Sequence, residues 1–214
     1  MGWRRGEMGQ AGFRAPARSL VLCVLFGLLE ACASGTTSTE LPERNACVSE
    51  EFRQFDFWIG DWDVTQEILQ ADGSWIELPA RTRVAASPEG CLLTEHWNGR
   101  VQFFWEGMQR PEGMWGFSVR RYDPAAGTWS IYWMDQRNPR FETPHVGRFE
   151  EDHGEFFREF TADGQLRRTR IRFTQVSDTQ VDWSLALSTD GGDTWIELWR
   201  MRMCRSRRSR APAY

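Results

Sequence analysis

"TRIRFTQV" (Thr169–Val176) and "VDWSLALS" (Val181–Ser188) alternate in character residue by residue. Thr169, Ile171 and Phe173 fall on one side of the first stretch, and Arg170 and Arg172 on the other. A period of two is the signature of a strand, whose successive side chains point to opposite faces. Working outward, the same alternation predicts strands over 61–69, 75–86, 91–98, 101–106, 114–122, 128–135, 143–150, 154–160, 166–176, 179–188 and 194–203. The joins "ADGS", "DPAAGT", "ADGQ" and "DGGDT" are hairpin turns that place Gly where a positive φ is needed. Nothing reads as a strand–helix–strand unit. A meander of ten or eleven strands leaves raw edges unless it closes on itself. The reading is therefore all-β: a single antiparallel up-and-down barrel of about ten strands over 49–204, wide enough for one small ligand.

One helix is expected. Ser49 to Trp58, "SEEFRQFDFW", has a cap at Ser49, acids in the first turn, and Phe52, Phe55 and Trp58 three residues apart. It is placed across one end of the barrel.

The net charge of −4 argues against a broad nucleic-acid surface. In "LRRTRIRF" (Leu166–Phe173) the arginines alternate with Thr169, Ile171 and Phe173, as on the wet face of a strand. No nucleic-acid partner is expected. Tryptophan is dense, with twelve residues. So many indoles mean a thick aromatic core or a cavity with flat, amphipathic walls.

Residues 1–32 read as a leader: Arg4, Arg5, Arg14 and Arg18, then the apolar run Ser19–Leu29. "LEAC" (Leu29–Cys32) resembles a bacterial lipobox, which makes Cys32 the lipidated residue and the membrane a partner through that anchor. Glu30 departs from the small residue usual there, and Ala31-x-Ala33 offers ordinary cleavage after Ala33. Both readings predict export: an outer-membrane lipoprotein facing the periplasm, or a soluble secreted or periplasmic protein. Residues 33–48 read as a flexible tether and 205–214 as a basic, disordered tail.

Three cysteines remain: Cys47, Cys91 and Cys204. Cys47 precedes the first strand and Cys204 ends the last, neighbours in a closed barrel, so this pair is the disulfide candidate. Sequence alone does not settle the connectivity. No metal-ligand spacing occurs, and the oligomeric state is left open.

"STDGGDTW" (Ser188–Trp195) has the spacing of the Asp-box hairpin of sialidase propellers. A propeller needs several blades of about 40 residues each, which this chain does not repeat. The octet is instead expected to be a hairpin, with Asp190 bonding backbone amides and Gly191 and Gly192 making the reversed turn.

Gly60-Asp61-Trp62 in "FDFWIGDWDV" (Phe55–Val64) is similar to the Gly-x-Trp of the first lipocalin strand. With "EGCLLTEHW" (Glu89–Trp97), "FSVRRYDPAAGTWSIYWMD" (Phe117–Asp135) and "LSTDGGDTW" (Leu187–Trp195), it resembles an uncharacterised bacterial family, domain of unknown function 1579. That resemblance covers about residues 52–203 and implies a lipocalin-like, nitrobindin-like barrel. It also implies that Trp62 closes one end.

The alternation places Cys91, Leu93, Glu95 and Trp97 on one face. Gly116, Ser118, Arg120 and Tyr122 share another, and Trp129, Ile131, Trp133 and Asp135 a third. The candidate ligand-binding residues are Trp62, Glu95, Trp97, Ser118, Arg120, Trp133 and Asp135, with Glu95 or Asp135 paired to Arg120. The expected ligand is a small hydrophobic or amphipathic molecule. Three other readings stay open. One is haem bound through a His, as in nitrobindin-like barrels, although His145 and His153 lie beside turns, where exposure is expected, and His96 faces away from Glu95. Another is an enzyme using Glu95 and Asp135 as acid and base. The last is a purely structural envelope protein. No cofactor and no catalytic residue is assigned.

Overall fold

The computed structural model describes residues 47–206, except 139 and 152. The leader with Cys32, nearly all of the tether and the tail beyond 206 lie outside the described residues. Ten strands follow the order expected of a meander: β1 (Gly60–Leu69), β2 (Trp75–Ala86), β3 (Leu92–Val101), β4 (Glu112–Asp123), β5 (Thr128–Asp135), β6 (His145–Glu150), β7 (His153–Ala162), β8 (Gln165–Val176), β9 (Gln180–Ser188) and β10 (Ile196–Arg205). Each pairs antiparallel with its sequence neighbours, and β1 pairs with β10, so the sheet is a closed barrel. Closure gives every strand a neighbour on both sides, with one ladder, β5–β6, cut short.

The strand expected over 101–106 does not form. β3 runs to Val101, and Phe104–Glu106 makes a single 3-10 turn inside a ten-residue connection to β4. The expected helix is likewise broken in two. α1 covers only Glu50–Arg53, and Asp56–Trp58 is a second, 3-10 turn. Phe55 between them leaves helical geometry at φ −99°, ψ 7°. The break lets Phe52, Phe55 and Trp58 all bury themselves.

Phe55 sits at the centre of the closed end, in edge contact with Trp129, Phe149 and Phe173 at ring separations of 4.8–5.5 Å. Trp62 lies beside this cluster and donates from Nε1 to the Trp58 carbonyl at 2.8 Å. Arg205 is the last residue of β10, not the start of a tail. Its guanidinium lies 4.4 Å from the Trp62 ring and donates to the carbonyls of Ile59 and Phe57. Gly60 makes room for it: at φ 138° it has no Cβ, and one there would strike the Arg205 guanidinium.

The disulfide differs from the expected pair. Cys47 bonds Cys91, with Cα atoms 5.1 Å apart, and Cys204 is an exposed free thiol. Strand alternation explains the difference. Met201 and Met203 are buried, so Cys204 between Met203 and Arg205 points outward, into the register opposite Asp63. Cys47 instead lies against the β2–β3 turn, close to Gly90, within reach of Cys91.

One ladder is short. β5 and β6 are joined only at Trp129–Gly147, Ser130–Val146 and Ile131–His145. Beyond Ile131 the two strands separate, and in the connection between them Glu142 N–H bonds the Trp133 carbonyl at 2.9 Å.

The hairpin at 188–195 forms as expected from its sequence. Asp190 accepts from the Thr194 N–H at 3.0 Å and from the Ser188 hydroxyl at 2.7 Å. Gly191 and Gly192 take φ of 79° and 109°. These bonds hold the Asp190 carboxyl well below the usual carboxylate range, the Thr194 hydroxyl contributing most.

Candidate functional site

The three inward faces read from the alternation are the inward faces of the barrel. Leu93, Glu95 and Trp97 of β3, Ser118, Arg120 and Tyr122 of β4, and Trp129, Ile131 and Asp135 of β5 are buried. Register stacks them across the sheet: Glu95 is opposite Ser118, and Ser118 is opposite Trp133. Gly116 completes the set. A side chain there would overlap the Trp133 ring, so the glycine is what lets that indole lie across β4.

Glu95 pairs with Arg120, one of the two options open in the sequence. Arg120 Nη2 donates to Glu95 Oε2 at 2.8 Å, and the two side chains are 4% and 8% exposed. Removing both charges from water is costly, and each therefore needs further partners. Ser118 donates to Glu95 Oε2 at 2.9 Å and Thr82 to Oε1 at 2.8 Å. Arg120 Nη1 donates to the Ser118 hydroxyl at 2.9 Å, and its guanidinium lies 5.3 Å from the rings of both Phe55 and Trp58. Thr82 carried no signal in the sequence beyond its place on an inward face.

Around this pair is a cavity of about 200 Å³. Glu95, Trp97, Ser118, Arg120, Trp133 and Asp135 line it, and Trp62 does not. Trp62 is consumed by Trp58 and Arg205 at the closed end, the plugging role its resemblance implied. The opposite wall was missed from the sequence: Trp183 of β9 and Trp199 of β10 also line the cavity. Trp183 follows from alternation along β9. Trp199 shares its face with the buried Met201 and Met203, but a bulge between Glu197 and Trp199 shifts the register, so the start of the strand points to the other parity. Trp199 Nε1 donates to Gln66 Oε1 at 2.7 Å, deep inside.

Asp135 is held at the mouth by Arg137, not by Arg120. Arg137 Nη2 donates to Asp135 Oδ2 at 2.7 Å, and Trp133 Nε1 donates to the same oxygen at 3.2 Å. Burial opposes the charge on Asp135, but the Arg137 hydrogen bonds outweigh it and hold the carboxyl below its ordinary value. Arg137 also bonds Glu106, whose carboxyl is nonetheless raised, first by burial and then by the charges of Asp135 and Glu142. Glu142 pairs with Arg158 from β7. Glu95 and Asp135 are thus each engaged by a different arginine, which is not the free acid–base pair considered from the sequence.

His145 is buried rather than exposed. It starts β6, lines the cavity, and its Nε2 lies 2.9 Å from Thr169 Oγ1. Burial, reinforced by the charge of Arg158, pushes its pKa down to about 3. A neutral imidazole at a cavity wall is a potential haem ligand, but the residues do not fit haem. Nε2 is occupied by Thr169, and 200 Å³ falls below the ~300–1,000 Å³ of ordinary ligand pockets. His96 is on the outer face, 4.9 Å from the Phe117 ring. Among the described residues no cluster of His, Cys, Asp or Glu could hold a metal. Arg168, Arg170 and Arg172 of β8 lie on the face opposite the buried Thr169, Ile171 and Phe173, as read: Arg170 stacks 4.4 Å over Trp195 and Arg172 pairs with Glu155.

Fold and site together define a ten-strand, lipocalin-like closed barrel with an aromatic interior pocket. No family model and no curated protein matches the chain. Among solved structures it is similar to Rv2717c from M. tuberculosis, with a TM-score of 0.50 and 13% identity over 74% of this chain and 99% of that one. The S-type phycobiliprotein lyase CPES from Guillardia theta gives 0.43 and 12%, over 72% of this chain and 91% of that one. At such identity the likeness to Rv2717c is one of fold.

Proposed function

We propose that this protein binds a small hydrophobic or amphipathic molecule inside its barrel, and that it is a divergent member of the family it resembles, domain of unknown function 1579. The observation that carries the binding reading is the cavity itself: walls of indole and methionine with a few convergent polar groups, the usual composition of a small-ligand site. Native mass spectrometry and solvent extraction of the purified protein test it. A co-purified small molecule, displaced by filling the cavity through Ile131→Trp, is the expected result. A protein that is repeatedly empty and indifferent to apolar probes favours a structural role.

We place the protein outside the cytoplasm, anchored through a lipid on Cys32 and facing the periplasm. The leader sequence is the basis for this, and the Cys47–Cys91 bond supports an oxidising compartment. No helix among the described residues is long and apolar enough to cross a membrane, so attachment rests on the anchor. Partition into detergent, lost in Cys32→Ser, is the expected outcome. An unchanged partition speaks for cleavage after Ala33.

A further inference from the structure

The buried indoles of the barrel divide into two groups. Trp62, Trp129, Trp133 and Trp199 each donate to a protein acceptor. Trp58 and Trp97 do not, although they are only 2% and 3% exposed. Arg120 adds a third orphan, its Nε, on the side chain whose other nitrogens hold Glu95 and Ser118. All three side chains line the cavity, as does Arg158, whose Nε is likewise without a partner; of these, Arg120 lies 5.3 Å over the Trp58 ring. A buried donor without a partner costs about 1–3 kcal/mol, so such groups are rare unless something else satisfies them.

The inventory is one-sided. Among the described residues, every buried side-chain polar atom without a partner is an N–H donor. The carboxylates are in use. Glu95 accepts from Thr82, Ser118 and Arg120, and Asp135 from Arg137 and Trp133. The charges are also in use: Arg120, Arg137 and Arg158 each face a carboxylate, and the lining carboxylates Glu95, Glu106, Asp135 and Glu142 outnumber those arginines. No unpaired cation waits for an anion.

We infer that the ligand is a neutral, flat molecule bearing a carbonyl-type acceptor, its oxygen taken by one or more of the orphan N–H groups of Trp58, Trp97 and Arg120 Nε. This rests on the small-ligand reading and narrows it. The indole walls select a planar apolar body, the orphan donors select an acceptor, and the excess of carboxylates rejects an anion.

Three probes of similar shape separate these elements by titration calorimetry on the whole protein. Coumarin is neutral with a lactone carbonyl, naphthalene has no acceptor, and 2-naphthoate is an anion. Coumarin is expected to bind roughly tenfold tighter than naphthalene, the scale of a buried hydrogen bond made or left unmade, and also tighter than 2-naphthoate. Trp97→Phe, with its near-ultraviolet circular dichroism checked, is expected to bring the ratio of coumarin to naphthalene affinity close to one, whatever the loss of indole wall does to both. Trp58→Phe is the second variant should Trp97→Phe not fold. Equal affinity for coumarin and naphthalene overturns the inference while the pocket reading stands, because water then satisfies the donors. Preference for 2-naphthoate overturns the claim of neutrality. Heat from none of the three probes overturns the pocket reading itself, and the inference with it.

Discussion

Glu95 and Arg120 form an ion pair at 2.8 Å in the barrel interior, sealed by Ser118 and Thr82. Breaking such a pair from one side strands a charge out of water. Glu95→Ala and Arg120→Ala are each expected to cost about 3–5 kcal/mol. The double variant Glu95→Ala/Arg120→Ala is expected to cost much less than the sum, because no charge remains to be solvated. Urea unfolding of the three variants measures the coupling; additive costs contradict the pairing.

The Cys47–Cys91 bond closes a loop with a sequence separation of 44. Reduction, or Cys47→Ser, is expected to lower stability by about 2–4 kcal/mol. Cys204→Ser is expected to change nothing, since that thiol is free and exposed. Peptide mapping without reductant should join the peptides carrying Cys47 and Cys91.

His145 gives the stability a pH dependence. Burial lowers its folded pKa to about 3 from the ordinary histidine value of 6.5. Between those values the unfolded chain holds a proton that the folded chain refuses, so stability is full above about pH 6.5 and falls as pH drops toward 3. The slope from this one group approaches about 1.4 kcal/mol per pH unit. His145→Gln should flatten the stability profile over that window. An equally steep profile in the variant assigns the effect to other groups.

Gly116 is where the Trp133 indole crosses β4. Gly116→Ala is expected to destabilise by about 1–3 kcal/mol, the cost of overpacking, and to push the indole into the cavity. Probe affinity should fall with stability, in contrast to a surface alanine substitution such as Glu197→Ala, which should spare both.

The barrel was legible because its signal is local. Alternation along β3, β4 and β5 gave the inner positions of Glu95, Ser118, Arg120 and Asp135, and turns such as 188–195 marked the strand ends. What depends on irregular backbone was not legible. The bulge between Glu197 and Trp199 put the start of β10 out of phase with Trp199, Met201 and Met203, and the connection holding Arg137 and Glu142 has no period at all. The choice between Arg120 and Arg137 for Glu95 and Asp135 depended on depth along the strands, which register decides and alternation does not. His145 was misjudged as exposed because a turn lies beside it in sequence. The first residue of a strand can still face inward.

The short ladder between β5 and β6 has a kinetic consequence. Tyr132 to Asp135 lack β6 as a partner, and the 136–144 connection carries Arg137 and Glu142 from the pocket lip. On the proposed binding role, a guest is expected to leave when the ion pairs of Arg137 and Glu142 open, with every other rung of the barrel intact. Residence time is then governed by a local event, decoupled from global unfolding. Weakening the lip through Glu106→Gln, which leaves Asp135 paired with Arg137, should shorten occupancy far more than it lowers the melting temperature, whereas breaking the Cys47–Cys91 bond should do the reverse.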